Sequence, residues 1–363
     1  MFIGRVLRWV APGAVAIASL LGACARGGAP GPAPAGSAAP VLTAESSGVD
    51  VVLQAVAAVD DDVVWITGHH GVVLRSTDGG ATWVRLRVPD SDSLEFRDVA
   101  AFGQDTAYLL AAGPGPRSRI FFTADGGQTW TPQFVNTDPR AFYDCFAFWS
   151  TSSGVVVSDA VQGQLLVRVT VDAGAHWNVL PPASVPAALE GEGAFAASGT
   201  CVTSLGRRHA WIASEAAQGS RVYRSSDGGL SWSVAGVPFI TGDATGVATV
   251  AFRDTLTGVA LGGRVASATD TTAHAAVTHD GGATWTQAGR PPFPGATYGA
   301  VYVPGAAVPV LVAAGPGGLA LSRDDGATWT LLSTAGYWAV GFSSVHAGWA
   351  AGPGGRITRI ALE

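Results

Sequence analysis

Ser76-Thr77-Asp78-Gly79-Gly80-Ala81-Thr82-Trp83 is repeated, in the same register, at Thr123 to Trp130, Thr170 to Trp177, Ser225 to Trp232, Thr278 to Trp285 and Ser322 to Trp329. Ser or Thr always stands first, Asp third, Gly fifth and Trp eighth, while the fourth position drifts to Ala173 and Asp325 and the seventh to His176 and Ser231. The fixed positions are the ones a tight turn demands. An Asp side chain accepts hydrogen bonds from nearby backbone amides, and glycine takes the positive φ that closes the turn. The Trp then lays a large apolar ring against the neighbouring strand.

The octet resembles the Asp box, or bacterial neuraminidase repeat, of sialidases, sortilin-type receptors and photosystem II stability/assembly factor-like proteins, all of them β-propellers. In those relatives the box lies on the bottom rim, between the third and fourth strands of a blade. The resemblance therefore implies structural roles for Asp78, Asp125, Asp172, Asp227, Asp280 and Asp324, and for Trp83, Trp130, Trp177, Trp232, Trp285 and Trp329. A shared fold does not assign a function.

The box aspartates are spaced 47, 47, 55, 53 and 44 residues apart, the length of one four-stranded blade with small insertions. In the first period Val51 to Val59, Val63 to Thr67, Val72 to Arg75 and Trp83 to Arg87 read as four short strands. No long helix is expected. After the sixth box three strand-like runs remain: Tyr337 to Ser343, Gly348 to Ala351 and Arg356 to Ala361. Val41 to Glu45, at the other end, is a strand without a blade. Pairing the two ends completes a seventh blade and removes two exposed edges. The expectation is an all-β, seven-bladed propeller over 41–363, with an N-terminal strand in blade seven.

The chain opens as an address. Arg5 and Arg8 precede an apolar stretch from Trp9 to Leu21, and Leu21-Gly22-Ala23-Cys24 resembles a bacterial lipobox. A span needs about 20 apolar residues, so 1–23 reads as a lipoprotein signal peptide and Cys24 as the lipidated N-terminus. Residues 25–40 are only Ala, Gly, Pro, Ser and one Arg, and 24–40 reads as a tether. The expected location is the periplasmic side of the outer or inner membrane.

Acidic residues outnumber basic ones, 27 to 21, and every basic residue is Arg. An acidic domain without a basic stripe is a poor nucleic-acid binder. Cys145 and Cys201 remain once Cys24 is set aside, in a compartment that permits either a disulfide or two buried thiols.

Over nearly all of 48–363 the chain also resembles a bacterial branch of the photosystem II stability/assembly factor-like family. The similarity is carried by Glu95-Phe96-Arg97-Asp98, Phe142-Tyr143-Asp144-Cys145, Ser158-Asp159, Glu192 to Thr200 and Gly262-Gly263. Members carry the labels oxidoreductase or glycosyl hydrolase, and photosynthetic relatives help assemble a reaction-centre subunit. In such propellers the loops entering the innermost strand, and those joining second to third strands, line the top of the central channel. The resemblance thus puts Arg97, Asp98, Tyr143, Asp144, Asp159 and Glu192 at that mouth, as ligand-binding candidates or as charges paired between blades. Convergent polar groups at a concave mouth form a typical ligand site.

Sialidases need an arginine ahead of the first box, and no arginine lies between Arg26 and Arg75. A two-carboxylate glycosidase built from Asp98, Asp144, Asp159 or Glu192 is the alternative. Gly191-Glu192-Gly193-Ala194-Phe195-Ala196 fits G-x-G-x-x-A but has no βαβ unit around it. Neither His69-His70 nor Asp60-Asp61-Asp62 has convincing metal-ligand spacing. No metal or cofactor is expected. The insertion 181–191 is expected to overhang the top face. These readings combine into a monomeric, membrane-anchored binding or assembly module that holds a protein or small ligand without catalysis.

Overall fold

In all six octets the same hydrogen bonds close the turn. The first hydroxyl donates to the Asp carboxylate at 2.7–2.9 Å and accepts from the fifth-position Gly amide at 2.9–3.0 Å. The seventh residue gives the carboxylate its backbone amide at 2.8–3.0 Å, and its side chain meets the second oxygen at 2.5–2.7 Å. His176 fills the seventh position through Nδ1, so a ring nitrogen substitutes for a hydroxyl. The fifth glycine has φ of +81° to +89° in every copy. The fourth position is left-handed too, even at Ala173 and Asp325, and Asp325 is tied down by Arg253 and the Tyr302 hydroxyl. Hydrogen bonds from Thr129 and Thr284 hold the Asp125 and Asp280 carboxyls down at about 2.

The computed structural model describes residues 39–362 except 243, 266 and 273. The signal and lipidation readings, and nearly all of the tether, lie outside the described residues. The strands form seven four-stranded antiparallel sheets. The inner strands are Leu53–Ala58, Phe96–Ala101, Tyr143–Ser150, Val202–Leu205, Thr245–Phe252, Gly299–Tyr302 and Ala339–Phe342. Each is followed outward by a second, a third and an outer strand. The only helical pieces among the described residues are three single 3-10 turns.

Sheet packs against sheet around the ring. Trp65, Tyr108, Trp211 and Trp349 occupy equivalent places in second strands, one residue beyond the partner of the first box position or its counterpart, and all are at most 2% exposed. Truncating such a buried ring costs about 3–5 kcal/mol. In five blades a box residue donates its amide to a carbonyl in the turn joining inner and second strands, as Gly126 does to Asp105. Box turns and those turns therefore share one end of the ring, the box face. The opposite end carries the loops into the inner strands and is called the top.

Ring closure follows the expected clasp. Val41–Ser46 pairs antiparallel with Arg356–Ala361, from Val41 opposite Ala361 to Ser46 opposite Arg356. Two side-chain latches reinforce it. Trp83 Nε1 donates to Glu45 at 3.2 Å, and the Ser343 and Ser344 hydroxyls donate to Asp61 at 3.0 and 2.7 Å. Asp60 caps the amides of Asp62 and Val63, so the acidic triplet shapes a turn and joins blade one to blade seven. Cys145 and Cys201 are bonded, with Cα atoms 6.0 Å apart. The inner strand of blade one is shorter than read, because Val51 and Val52 accept from Gly355 and His69 in loops.

Burial in the clasp raises the Glu45 carboxyl to about 7, against the opposing pull of the Trp83 hydrogen bond. A carboxyl raised in the folded state contributes stability that is lost as pH rises through its folded value. Glu45→Gln, which keeps an acceptor for Trp83, is expected to match the parent in thermal unfolding at pH 5 and exceed it progressively toward pH 8. A difference that does not change between these pH values would show that Glu45 does not titrate in the clasp.

Candidate functional site

The top of the channel is organised by a fault in the strand ladders. In blades one, two, three and five the inner strand shifts register near its start, skipping Gln54, Arg97, Asp144 and Ala248. A bulge of this kind re-aims the extra residue and increases local twist. Four blades thus turn one side chain each out of the regular alternation, at equivalent heights around the axis.

Across this ring runs the chain itself. Residues 193–200, Gly-Ala-Phe-Ala-Ala-Ser-Gly-Thr, approach all seven blades before entering blade four. Gln54 Nε2 donates to the Ala197 carbonyl at 3.4 Å and an Arg97 guanidinium nitrogen donates to the Ala196 carbonyl at 3.2 Å. The Ser198 hydroxyl donates to the Tyr298 carbonyl at 2.6 Å, and the Thr200 hydroxyl lies 2.8 Å from that of Thr249. Ala197, Ala296 and Tyr298 pack together with Phe195 and Trp338. The disulfide fixes Cys201, at the end of this segment, to blade three. Because blades on opposite sides of the ring grip one short segment, it closes the upper channel.

Small residues make this crossing fit. A Cβ on Gly193 would stand 2.1 Å from the Asp159 carboxylate, and one on Gly199, at φ +78°, would stand 2.3 Å from that of Asp98. The glycines in the G-x-G-x-x-A match serve this passage and its turns. In the sequence this segment is a charge-free run between Glu192 and Cys201, mostly of small residues, and nothing local in it marks a crossing of the channel.

Arg97, Asp98, Asp144 and Asp159 gather beside the crossing segment. Asp98 is buried and accepts from the Val99 and Phe146 amides, both at 2.8 Å. Asp144 is 1% exposed, and among the described residues its Oδ2 has no hydrogen-bond partner. Asp159 accepts from the Ala194 amide at 3.1 Å. Burial pushes Asp98 and Asp144 well above the usual carboxylate range, Asp144 further because Asp159 is near, and raises Asp159 to about 6. Arg97 is half-buried, bonded to Glu95 at 2.5 Å and stacked near the Phe142 ring.

The other two candidates are corrected by the geometry. Tyr143 is fully buried between blades two and three, edge-on to Phe134, and its hydroxyl accepts from Arg168 Nε at 2.6 Å. It does not face the mouth. Glu192 is also buried, ion-paired with Arg221 and accepting from the Ser214 hydroxyl and the Leu189 amide at 2.6 and 2.7 Å. Its carboxylate pins the end of the 181–191 insertion. That insertion lies along the seam between blades three and four, with Val185 buried and Ala187 bridged to Gln164, because its apolar residues find cover there. Asp98 and Asp144 are likewise beneath the surface, so Arg97 and Asp159 are the two candidates left partly open to solvent. Beside them stand half-buried His69, 3.9 Å from Glu95, and the rings of Phe142, Phe195 and Trp338. No group of three or more His, Cys, Asp or Glu among the described residues is arranged to hold a metal.

Solved structures match this fold along almost its whole length. YCF48 bound to D1 peptide aligns with a TM-score of 0.61 and 16% identity, covering 89% of this chain and 97% of that one. YCF48 from Cyanidioschyzon merolae gives 0.63 and 16%, over 88% and 98%. The WD40 β-propeller domain of Doa1 gives 0.57 and 14%, over 89% and 98%. The likeness to photosystem II stability/assembly factor-like propellers thus holds for the fold. No protein-family model matches the chain, and no curated protein matches its sequence.

The two ion pairs near the top differ in kind. Arg221→Ala would strand a Glu192 side chain that is 0% exposed, a loss of about 3–5 kcal/mol in denaturant unfolding. Arg97→Ala breaks a pair whose side chains are 27% and 34% exposed and should cost about 1 kcal/mol or less. Equal losses would contradict the assignment of Glu192 to structure and Arg97 to the open surface.

Proposed function

We propose that this protein is a non-catalytic propeller, anchored through Cys24 on the periplasmic side of a bacterial membrane, that holds a protein or small ligand on its top face. One observation carries the reading. The chain closes its own channel, so the top is a broad surface of partly open aromatic and charged groups and not a deep slot around a carboxylate pair. The carboxylates that a hydrolase would use are committed elsewhere: Asp98 to two backbone amides, Glu192 to Arg221. A binding module needs neither a poised acid nor a protected cavity.

The neighbour solved with a D1 peptide supports a protein partner, since it is a propeller of the same architecture with a peptide bound. A chain with 27 acidic against 21 basic residues does not fit a nucleic acid. The second reading, a carbohydrate-active hydrolase, draws on Asp144 and Asp159, both raised by burial and close enough to repel each other. Paired carboxyls with raised values are the usual equipment of a general acid.

The test uses photo-cross-linking in intact membranes, comparing the parent with an Arg97→Ala/Phe195→Ala/Trp338→Ala variant whose circular dichroism matches it. The expected outcome is a discrete partner band lost in the variant by tenfold or more. Identical cross-links would remove the top face from consideration. Turnover of chromogenic glycosides by the parent, abolished in Asp144→Asn, would replace the binding reading with the hydrolase.

A further inference from the structure

We propose that the box face of blades four to six rests on the lipid bilayer, so that the top points away from it. This builds on the anchor reading above.

The direction of one strand sets the orientation. Val41 pairs with Ala361, and the next residue, Leu362, donates its amide to Val345 in the turn between inner and second strands of blade seven. In blade one Val84 pairs with Arg75, and Thr43 pairs with Arg359 at the corresponding place. Val41 therefore takes the position of a residue just before a box Trp, and the chain leaves toward residue 39 at the box face. Cys24 lies 17 residues earlier. A lipid on Cys24 is thus joined to the strand that enters the ring at the box face.

That face is also where exposed apolar side chains collect. On blades four to six Leu230, Leu256 and Val308 are 53%, 58% and 48% exposed on it, with Val171 of blade three at 72% and Val41 of blade seven at 61%; the top has Ile240 and Val135, and Val84, Val179 and Leu331 are exposed on outer strands. Leu230 stands at the sixth box position, which is Ala or Gln in the other copies. Leu256 is presented at the tip of a turn held by Asp254, which accepts the Leu256 and Thr257 amides at 2.8 and 2.7 Å. Beside them, the charge-free loop Val303-Pro304-Gly305-Ala306-Ala307-Val308-Pro309-Val310 lines a recess of about 430 Å³ with Leu205, Phe252, Tyr302 and Arg253. Apolar patches of this sort mark contact surfaces.

Charge selects the sector. On blades four to six Arg207, Arg208, Arg224, Arg253 and Arg323 stand among Asp227, Asp254, Asp280, Asp324 and Asp325, so the patch carries no excess of one sign. Blades one to three add Asp60, Asp61, Asp62 and Asp105 to their box aspartates, against Arg75 at the place Arg224 holds in blade four, so that side remains acidic and an anionic membrane repels it. The ring is expected to tilt toward its balanced half.

The experiment uses a chain of residues 24–363 carrying Cys24→Ser, which keeps every described contact because the ring closes within 41–362. Flotation with phosphatidylcholine vesicles, with and without phosphatidylglycerol, should bring the chain up in both cases. Leu230→Ser/Leu256→Ser/Val308→Ser should lower the partition at least tenfold, with circular dichroism and unfolding unchanged, while Ile240→Ser leaves it as it was. A parent that stays at the bottom of the gradient, or a triple variant that floats equally well, overturns the proposal. So does a parent dimer in light scattering that the triple variant dissociates, since a second copy would then cover the face. Mass spectrometry of Cys24 in the cell-expressed chain tests the anchor separately: an unlipidated Cys24 removes the anchor without touching the flotation result.

Discussion

A ring of sheets is stable as a ring only if its two ends meet, and here the meeting is a strand pair between Val41–Ser46 and Arg356–Ala361. Without that pairing the last sheet has three strands, blade seven exposes an edge, and the inner strands are no longer held at a fixed radius. The side-chain latches, Glu45 to Trp83 and Asp61 to Ser343 and Ser344, span the same joint between first and last blades. Strand pairing in the clasp is long-range in sequence, so its entropic cost is paid late in folding. The six locked turns, by contrast, are local and each is complete within its own octet.

Radius matters because the channel is occupied by the protein's own chain. Bulges in four blades aim Gln54, Arg97, Asp144 and Ala248 inward, and the small residues of 193–200 pass among them. Had the ring opened by one blade, the same segment would leave gaps on one side. Among the buried carboxyls around it, Asp98 is bonded to two amides and Asp159 to one. Burial of an ionised carboxylate is costly, and it raises Asp98 against its two amide bonds and Asp144 with the added repulsion of Asp159. The consequence for function is a top face that is closed at its centre and decorated at its rim, suited to contact more than to enclosure.

The two faces of the disc thus differ in chemistry. The top offers aromatic rings, Arg97 and Asp159 around a capped axis. The box face offers carboxylates satisfied within their own turns, with exposed leucines and valines on one half. The N-terminal strand enters from the second face, the side away from the candidate partner surface.

The repeat was legible because its information is local. An octet that locks itself through its own hydroxyl, carboxylate and glycine needs no distant residue, so counting copies counted blades, and the leftover strands at the two ends forced the clasp. Candidate positions were also legible, since loops at strand starts follow from the blade count. Their exposure was not. Whether Tyr143, Asp144 or Glu192 faces water depends on Arg168, Asp159 and Arg221, which come from other strands, and on single-residue register shifts that no side-chain pattern announces. The closed channel is the plainest case: Gly193 to Thr200 carries a family resemblance but no local sign of its place, and only packing against blades distant in sequence makes it a plug. Order along the chain determined the ring; proximity across it, set by packing of residues far apart in sequence, decided what the ring presents.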